Sequence, residues 1–532
     1  MSQGHKTPPH PTLFVPTVDA YRHLPRGHFY ERLAAILDLS FVRELTAPLY
    51  DPKLGRPSVD PVVFFKCMLI GFFENIVHDM QLEFRIADSL TLRKFLGYGL
   101  DERTPDESTL RKTRQTMPEE TFQAVFSKVL DLCQEAKLLK GRAVGMDSTQ
   151  VDANASMDSL RHKTLGCTYE EYILALRRQD LPDATRQEAA DADRDRKGKA
   201  SNQHWESPTD PEARIMQHAD GHTHLSYRVD ATVDLETGVI VAVGADFANV
   251  SDQADCLLRA DEATVALAER GLKLVAVVAD KGFHSQDNLA GLAERGLFTV
   301  IASRNTERGQ PGFRRENFGY DPDTDTFTCP AGKILRRRQR SEDRMAREYY
   351  ARGRECGACP HFGVCTRSKS GRVIRVPLRE DLIQENRERG RSAEGRPLAQ
   401  IRRQRGEAPF GHFKYYGGLR RFAGHGLDYA LKKSLMAGAG WNLLRLLGGR
   451  GAPGANSGLS TAGGAGYTAY SGLRGLFDRM TLQFRHRGHR QRVQPPFRGW
   501  VTRTPHFSGA CVGGSDEETD PSGGTGRSPE LR

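Results

Sequence analysis

The chain of 532 residues has no long hydrophobic run. Its most apolar stretch, Pro61 to Phe73, contains Lys66 and is too short to span a bilayer, so a membrane drops out as a partner. The first fifteen residues are polar and rich in Pro and His. They lack the apolar core of a secretory signal, which points to an intracellular protein. Cysteine is sparse: nine residues, an odd number, which argues against a disulfide framework in a chain of this size. Nor is there an acidic excess. Against 67 Asp+Glu stand 77 Lys+Arg, a net charge of +10. A basic balance favours nucleic acid or an anionic surface.

The chain divides by pattern. Residues 1–25 read as a loose leader. Residues 26–140 read as helical, with apolar residues at helical spacing in Phe29–Leu39, Pro61–Phe73, Gln81–Asp88 and Pro118–Ala136. The Thr104-Pro105-Asp106 turn precedes a short basic helix with Ser108 as its N-cap and Arg111, Lys112 and Arg114 along it. A turn followed by a basic helix fits a helix-turn-helix-like DNA reader. An ordinary helical domain with a solvated basic face fits the same residues.

Residues 141–302 alternate strands and helices. Ala143–Met146 is a short apolar strand, and Thr223–Val233 and Gly238–Phe247 form a hairpin around Glu236-Thr237-Gly238. Helix Asp252–Arg270 stops at Gly271, and the apolar Leu272–Ala279 reads as a strand buried on both faces. A helix over Asp287–Arg295 and a strand over Leu297–Ala302 follow. This order describes an α/β fold with a mixed sheet. A charged excursion, about residues 160–213, interrupts it as an exposed helix or an unordered segment. Residues 303–400 form a second, basic, Cys-containing insertion. From Ser303 to Glu407 there are 25 Lys+Arg against 15 Asp+Glu, including Arg336, Arg337 and Arg338. Residues 401–447 return as helices, with Leu427–Leu447 amphipathic. Residues 448–532 are rich in Gly, Ser and Arg and are expected to be largely disordered.

Three carboxylates stand out. Asp147 and Asp280 each end an apolar run, and Glu407 opens a helix in which Pro409 is tolerated in the first turn. A carboxylate at a strand's carboxyl end in an open α/β sheet faces a site. Converged carboxylates bind hard divalent cations, and paired Mg²⁺ ions drive phosphoryl transfer on nucleic acids. Two of them have a plainer reading. Asp147 could cap the next turn, with Asp152 its rival, and Glu407 with Lys414 could be a solvated stripe. Arg403 lies four residues before Glu407 and Lys414 seven after, placed to grip a phosphate.

Cys329-x26-Cys356-x2-Cys359-x5-Cys365 offers a knuckle for structural Zn²⁺. The alternative is four free thiols in a basic loop domain. The basic charge around the group suggests contact with a DNA backbone. Of His218, His222 and His224, the last two would share one strand face. All three read as partly exposed strand histidines rather than metal ligands.

Asp147 in Gly-Met-Asp-Ser-Thr, Asp280 in Ala-Asp-Lys-Gly-Phe and Glu407 in Glu-Ala-Pro-Phe-Gly-His-Phe-Lys resemble the Asp–Asp–Glu triad of bacterial insertion-sequence transposases of the DDE type. The similarity is to the branch with a helical N-terminal domain and an insertion before the catalytic Glu. Arg403-x3-Glu407-x6-Lys414, Val151–Ser156, Pro211–Met216 and Gly417–Phe422 are similar to that branch as well. The family often has Tyr where this chain has Gln400. The resemblance covers roughly residues 26–447. It implies a ribonuclease-H-like catalytic core and two Mg²⁺ (or Mn²⁺) ions held by Asp147, Asp280 and Glu407. The partner it implies is double-stranded DNA, as terminal inverted repeats and target, engaged by a homodimer. It also implies a bacterial, cytoplasmic, nucleoid-associated location. A related nuclease or resolvase without strand transfer, or a non-catalytic DNA-binding derivative, would share these residues.

Overall fold

The computed structural model describes residues 3–6, 20–51, 55, 57–194, 196, 199, 201–218, 220–303, 312–338 and 345–448. The expected tail over 448–532 therefore falls, beyond Gly448, outside the described residues. Seven helices open the chain: α1 (Phe29–Ile36), α2 (Phe41–Thr46), α3 (Pro61–Phe73), α4 (Asp79–Asp88), α5 (Leu90–Leu96), α6 (Glu107–Thr116) and α7 (Glu119–Glu135). Then come β1 (Ala143–Asp152), β2 (Arg161–His162), α8 (Tyr169–Asp180), α9 (Arg186–Asp193), β3 (Trp205–Glu206), β4 (Arg214–Gln217), β5 (Thr223–Asp234) and β6 (Ile240–Phe247). A helix–strand alternation follows: α10 (Asp252–Ala268), β7 (Ala276–Ala279), α11 (Gln286–Glu294) and β8 (Phe298–Ile301).

The main sheet is mixed, in the order β4-β5-β1-β7-β8, with β6 also pairing β5. β5 runs antiparallel to β1, β4 and β6, while β1, β7 and β8 are parallel. β1 extends beyond the expected Ala143–Met146. Thr149 to Asp152 continue opposite Val229 to Ser226, so Asp147 lies within a strand rather than at its end. The polar Asp-Ser-Thr-Gln sequence masks this continuation because its pairing partner is distant in sequence.

Two buried asparagines seal the sheet's edges, where unpaired backbone groups would otherwise be left in the core. Asn442 accepts from Ile240 N–H and donates to its carbonyl, both at 2.8 Å. Asn386 treats Ile301 the same way, at 2.9 and 2.8 Å.

The opening helices have no core of their own. Phe64, Phe65, Phe72 and Phe122 join one cluster with Tyr227, Val229 and Val243 of the sheet and with Leu435, Met436 and Trp441. The last three belong to α16 (Leu427–Leu446), which is buried on nearly every side rather than amphipathic. Its glycines explain the close fit: a Cβ on Gly440 would lie 2.3 Å from the Phe72 ring, and one on Gly438 2.7 Å from Val243.

Asp106, not Ser108, caps α6, its Oδ1 accepting from Thr109 N–H at 2.8 Å. Ser108 Oγ donates to the same oxygen. The expected exposure of Arg114 is also corrected. It is buried, holds Asp79 at 2.6 and 2.8 Å, and receives the Lys432 ammonium on its carbonyl. Burial alone would raise the Asp79 carboxyl, but Arg114 prevails and holds it below the usual range.

The insertion is a separate antiparallel sheet of β9 (Gly319–Asp321), β10 (Thr326–Thr328), β11 (Ile334–Arg337), β12 (Ala346–Tyr350) and β13 (Val373–Pro377), joined by the short α12 (Gly353–Gly357). Phe327, Leu335, Tyr349 and Ile374 form its small core, against which Cys329, Cys356 and Cys365 pack. The chain returns through α13 (Glu380–Arg391), α14 (Gly395–Arg405) and α15 (Ala408–Tyr416). In the first excursion, α9 is an exposed helix with a Thr185–Glu188 capping box.

Replacing Asn442 by Leu keeps the volume but orphans both groups of Ile240. A buried unpaired backbone group costs about 1–3 kcal/mol. Asn442→Leu is therefore expected to lower the denaturant midpoint markedly; an unchanged midpoint would show that the edge does not need sealing.

Candidate active site

The parallel register pairs Met146 with Ala279. The next residues are Asp147, within β1, and Asp280, the first residue beyond the end of β7, so the two leave neighbouring strands about 4.8 Å apart at the same level. Both follow residues buried on both faces, so the chain delivers each carboxylate at the border of the core. Asp280 Oδ1 accepts from Gly282 N–H at 2.7 Å, which fixes its rotamer as the chain turns.

The third side arrives from α14 and α15. Arg402, near the end of α14, crosses β1 and holds Asp147 Oδ1 at 2.9 Å. Its path requires Gly145. A Cβ there would sit 3.3 Å from Arg402 Cγ and 2.7 Å from Leu235 Cδ2. Glu407 is the exposed N-cap residue of α15, and its side chain makes no capping bond. Burial pushes the Asp147 carboxyl up to about 6, opposed by Arg402 and by Ser148 N–H, and aided by the charges of Asp280 and Glu407. The three carboxylates thus share one electrostatic neighbourhood. They are not drawn tight, because among the described residues the only three such ligand atoms all within 4.8 Å of one another belong to Asp152, His218 and His224.

Two residues at the site carry no distinguishing mark in the sequence. Arg402 was passed over for Arg403, which is exposed and makes no contact with Asp147 among the described ion pairs. Asp252 opens α10 and accepts from Ser148 Oγ at 2.7 Å. A Cβ on Gly282 would lie 2.3 Å from its Oδ2 and 2.8 Å from Asp280 Oδ1. Its position after Ser251 resembles any acidic first turn, and no local signal distinguishes it.

Lys414 is half-buried two helical turns along α15, about 10 Å from its start at 1.5 Å per residue. Burial lowers its ammonium, and Asp152 opposes the shift, so Lys414 faces Asp152. Arg111 and Lys112 are exposed on α6, Arg111 lying 3.8 Å from Glu107. Arg336, Arg337 and Arg338 are exposed at β11; Arg337 reaches Asp325 at 3.2 Å and Arg338 covers the Tyr350 ring. Cys329, Cys356, Cys359 and Cys365 line one cavity of about 30 Å³ with His361. Cys329 Sγ accepts from Lys333 N–H at 3.2 Å and Cys356 Sγ from Arg372 N–H at 3.4 Å. Contrary to expectation, His218 and His224 share a face, their rings 4.4 Å apart, while His222 is exposed in the hairpin loop.

A mixed sheet presenting neighbouring aspartates, with a glutamate from a following helix, defines a candidate centre for metal-dependent phosphoryl transfer. Residues 18–116 match the family described as Transposase domain (DUF772), and residues 328–447 match Transposase DDE domain. The chain thus carries a transposase domain and a transposase DDE domain, which indicate DNA transposition; the DDE domain implies DNA phosphoryl transfer. Among solved structures, a cryo-EM structure of the piggyBac transposase synaptic complex with hairpin DNA aligns at 10% identity. The alignment covers 87% of this chain and 80% of that chain, with a TM-score of 0.30, a level that carries no weight for the fold. No curated protein matches the chain. Among the described residues, no helix is long and apolar enough to cross a membrane.

Gly145→Val is expected to crowd Leu235 and the Arg402 side chain and to destabilise the protein by about 1–3 kcal/mol, the usual range for overpacking. Urea unfolding of the variant beside the parent measures this. Equal stability would mean that the Arg402 side chain does not depend on the gap at Gly145.

Proposed function

We propose that the protein is a DDE transposase that binds the terminal inverted repeats of its element, cuts there and joins the ends to target DNA. The observation that carries this reading is the β1–β7 register, which aligns Asp147 with Asp280 within the electrostatic reach of Glu407. Neighbouring strands in parallel order with an acidic residue on each, followed by a helix bearing the third, support a ribonuclease-H-like core.

The donor set is all carboxylate oxygen, which suits Mg²⁺ or Mn²⁺ rather than a softer ion. Bound there as a pair, such ions would activate the attacking oxygen and stabilise the leaving oxygen of an in-line displacement. Asp147, Asp280 and Glu407 would hold them. Gly282 N–H keeps Asp280 aimed, and Arg402 balances the charge of Asp147 in a largely buried setting. Hydrolysis and strand transfer are the same displacement with water or a DNA 3′-hydroxyl as nucleophile, so one centre serves both.

Arg111 and Lys112 on α6, Arg403, and the exposed Arg336, Arg337 and Arg338 supply candidate phosphate contacts from three regions of the chain. Arg114 does not join them, since it is committed to Asp79. Pairing two element ends favours a homodimer on DNA. A structural Zn²⁺ held by the four cysteines is a reading supported by the cavity they share and by the backbone N–H groups that point at two sulfurs, although no three of the sulfurs lie within 4.8 Å of one another. Their sulfurs would draw closer on binding, to about 2.3 Å from the ion.

Purified protein with Mg²⁺ is expected to nick DNA carrying the element's end, and Asp280→Asn to abolish nicking while leaving binding intact. A variant that cuts as well as the parent refutes the assignment. Cutting without joining of ends to a target would instead identify a nuclease or resolvase. Metal analysis tests the zinc reading separately: zinc should accompany the parent and be lost in Cys356→Ser, and a parent without zinc sinks it.

A further inference from the structure

His218, His224 and Asp152 meet at the far end of β1. The pairing pattern puts them on one face. Asp152 pairs with Ser226, and His224 lies two residues before Ser226 on β5. Met216 pairs with His224, and His218 lies two residues beyond Met216. Successive side chains alternate across a strand, so all three project the same way. Asp152 is five residues past Asp147, about 17 Å at 3.3 Å per residue. The cluster is therefore distinct from the carboxylate centre.

The polar geometry is that of ligands facing an ion. His224 Nδ1 lies 3.5 Å and His218 Nδ1 3.7 Å from the same oxygen, Asp152 Oδ1. These separations are long for hydrogen bonds, yet near the spacing of about 3.3 Å between tetrahedral ligands bonded at 2.0–2.1 Å. The opposite ring nitrogens are engaged: His224 Nε2 lies 3.3 Å from Asp220 Oδ2 and His218 Nε2 3.1 Å from Ser226 Oγ. A proton on His224 Nε2, shared with Asp220, leaves the Nδ1 lone pair aimed at a carboxylate. Outer carboxylates orient metal-binding imidazoles in this manner. Lys414 adds positive charge near Asp152 and His218.

We propose that Asp152, His218 and His224 bind one divalent ion of the zinc class through two imidazole nitrogens and a carboxylate oxygen. Mixed N and O donors select such an ion over Mg²⁺. Three protein ligands leave a fourth position for water. The rings, now 18° from parallel, would fan open so that both lone pairs meet the ion. The ion would clasp the β4–β5 hairpin to β1, at the residue whose carbonyl accepts from Phe422 N–H. The proposal stands whether or not the carboxylate centre cuts DNA.

The probe is Co²⁺ added to the full-length protein, read by visible absorption. The parent is expected to show ligand-field bands without thiolate charge transfer, in addition to any cysteine-bound cobalt. Those bands should vanish in His224→Ala and in the isosteric Asp152→Asn, and persist in His222→Ala, each checked for folding by circular dichroism. Asp220→Asn, which removes only the orienting charge, should weaken binding about 10–100-fold. Bands unchanged in both Asp152→Asn and His224→Ala, or a parent with no cobalt beyond that of its cysteines, would overturn the proposal. If His224→Ala fails to fold, Asp152→Asn and Asp220→Asn decide alone.

Discussion

Parallel pairing of β1 with β7 fixes where the two candidate aspartates stand. With Met146 opposite Ala279, the two aspartates come next on both strands. A slip of one residue would send one carboxylate to the opposite face of the sheet. The helix carrying Glu407 follows α14, which packs on β7 and β8 and reaches β1 through Arg402, whose side chain passes over Gly145 to hold Asp147. Sheet register, helix docking and charge balance are therefore one constraint seen at three positions.

The opening helices extend that constraint. They share a core with α16 and with the sheet, and Arg114 braces the junction. It binds Asp79 on α4, offers its carbonyl to Lys432 on α16 and packs on the Tyr429 ring. Arg111 and Lys112, exposed on the same helix, are thereby held rigidly with respect to the aspartates. A DNA-contacting helix built this way would position its ligand by its placement in the common core rather than by a flexible tether.

Much of this was legible in the sequence, for definite reasons. α3 has an acidic N-cap, a proline at its first position and an apolar run interrupted only by Lys66, and its ends match the pattern. Asp280 stood out because its strand is apolar on both faces. The strand continuing past Asp147 is not legible, because pairing to β5 compensates for polar residues that have little strand character of their own. Arg402 was missed in favour of its neighbour: one residue on a helix is a rotation of about 100°, and only the docked position of α14 shows which arginine faces inward. His218 and His224 were separated by a turn whose register cannot be read from spacing. The edge-sealing roles of Asn386 and Asn442 depend on contacts across 85 and 202 residues.

The seal at Ile301 has a consequence for how the chain tolerates change. The chain leaves the main sheet at this residue on its way to the cysteine-bearing sheet, and the returning helix fastens back onto its backbone through Asn386. Both ends of the excursion are thus moored at one point. The cost of closing a loop rises only logarithmically with its length. Such a segment behaves as a cassette: it can be shortened, lengthened or exchanged for another body while the main sheet keeps its shape.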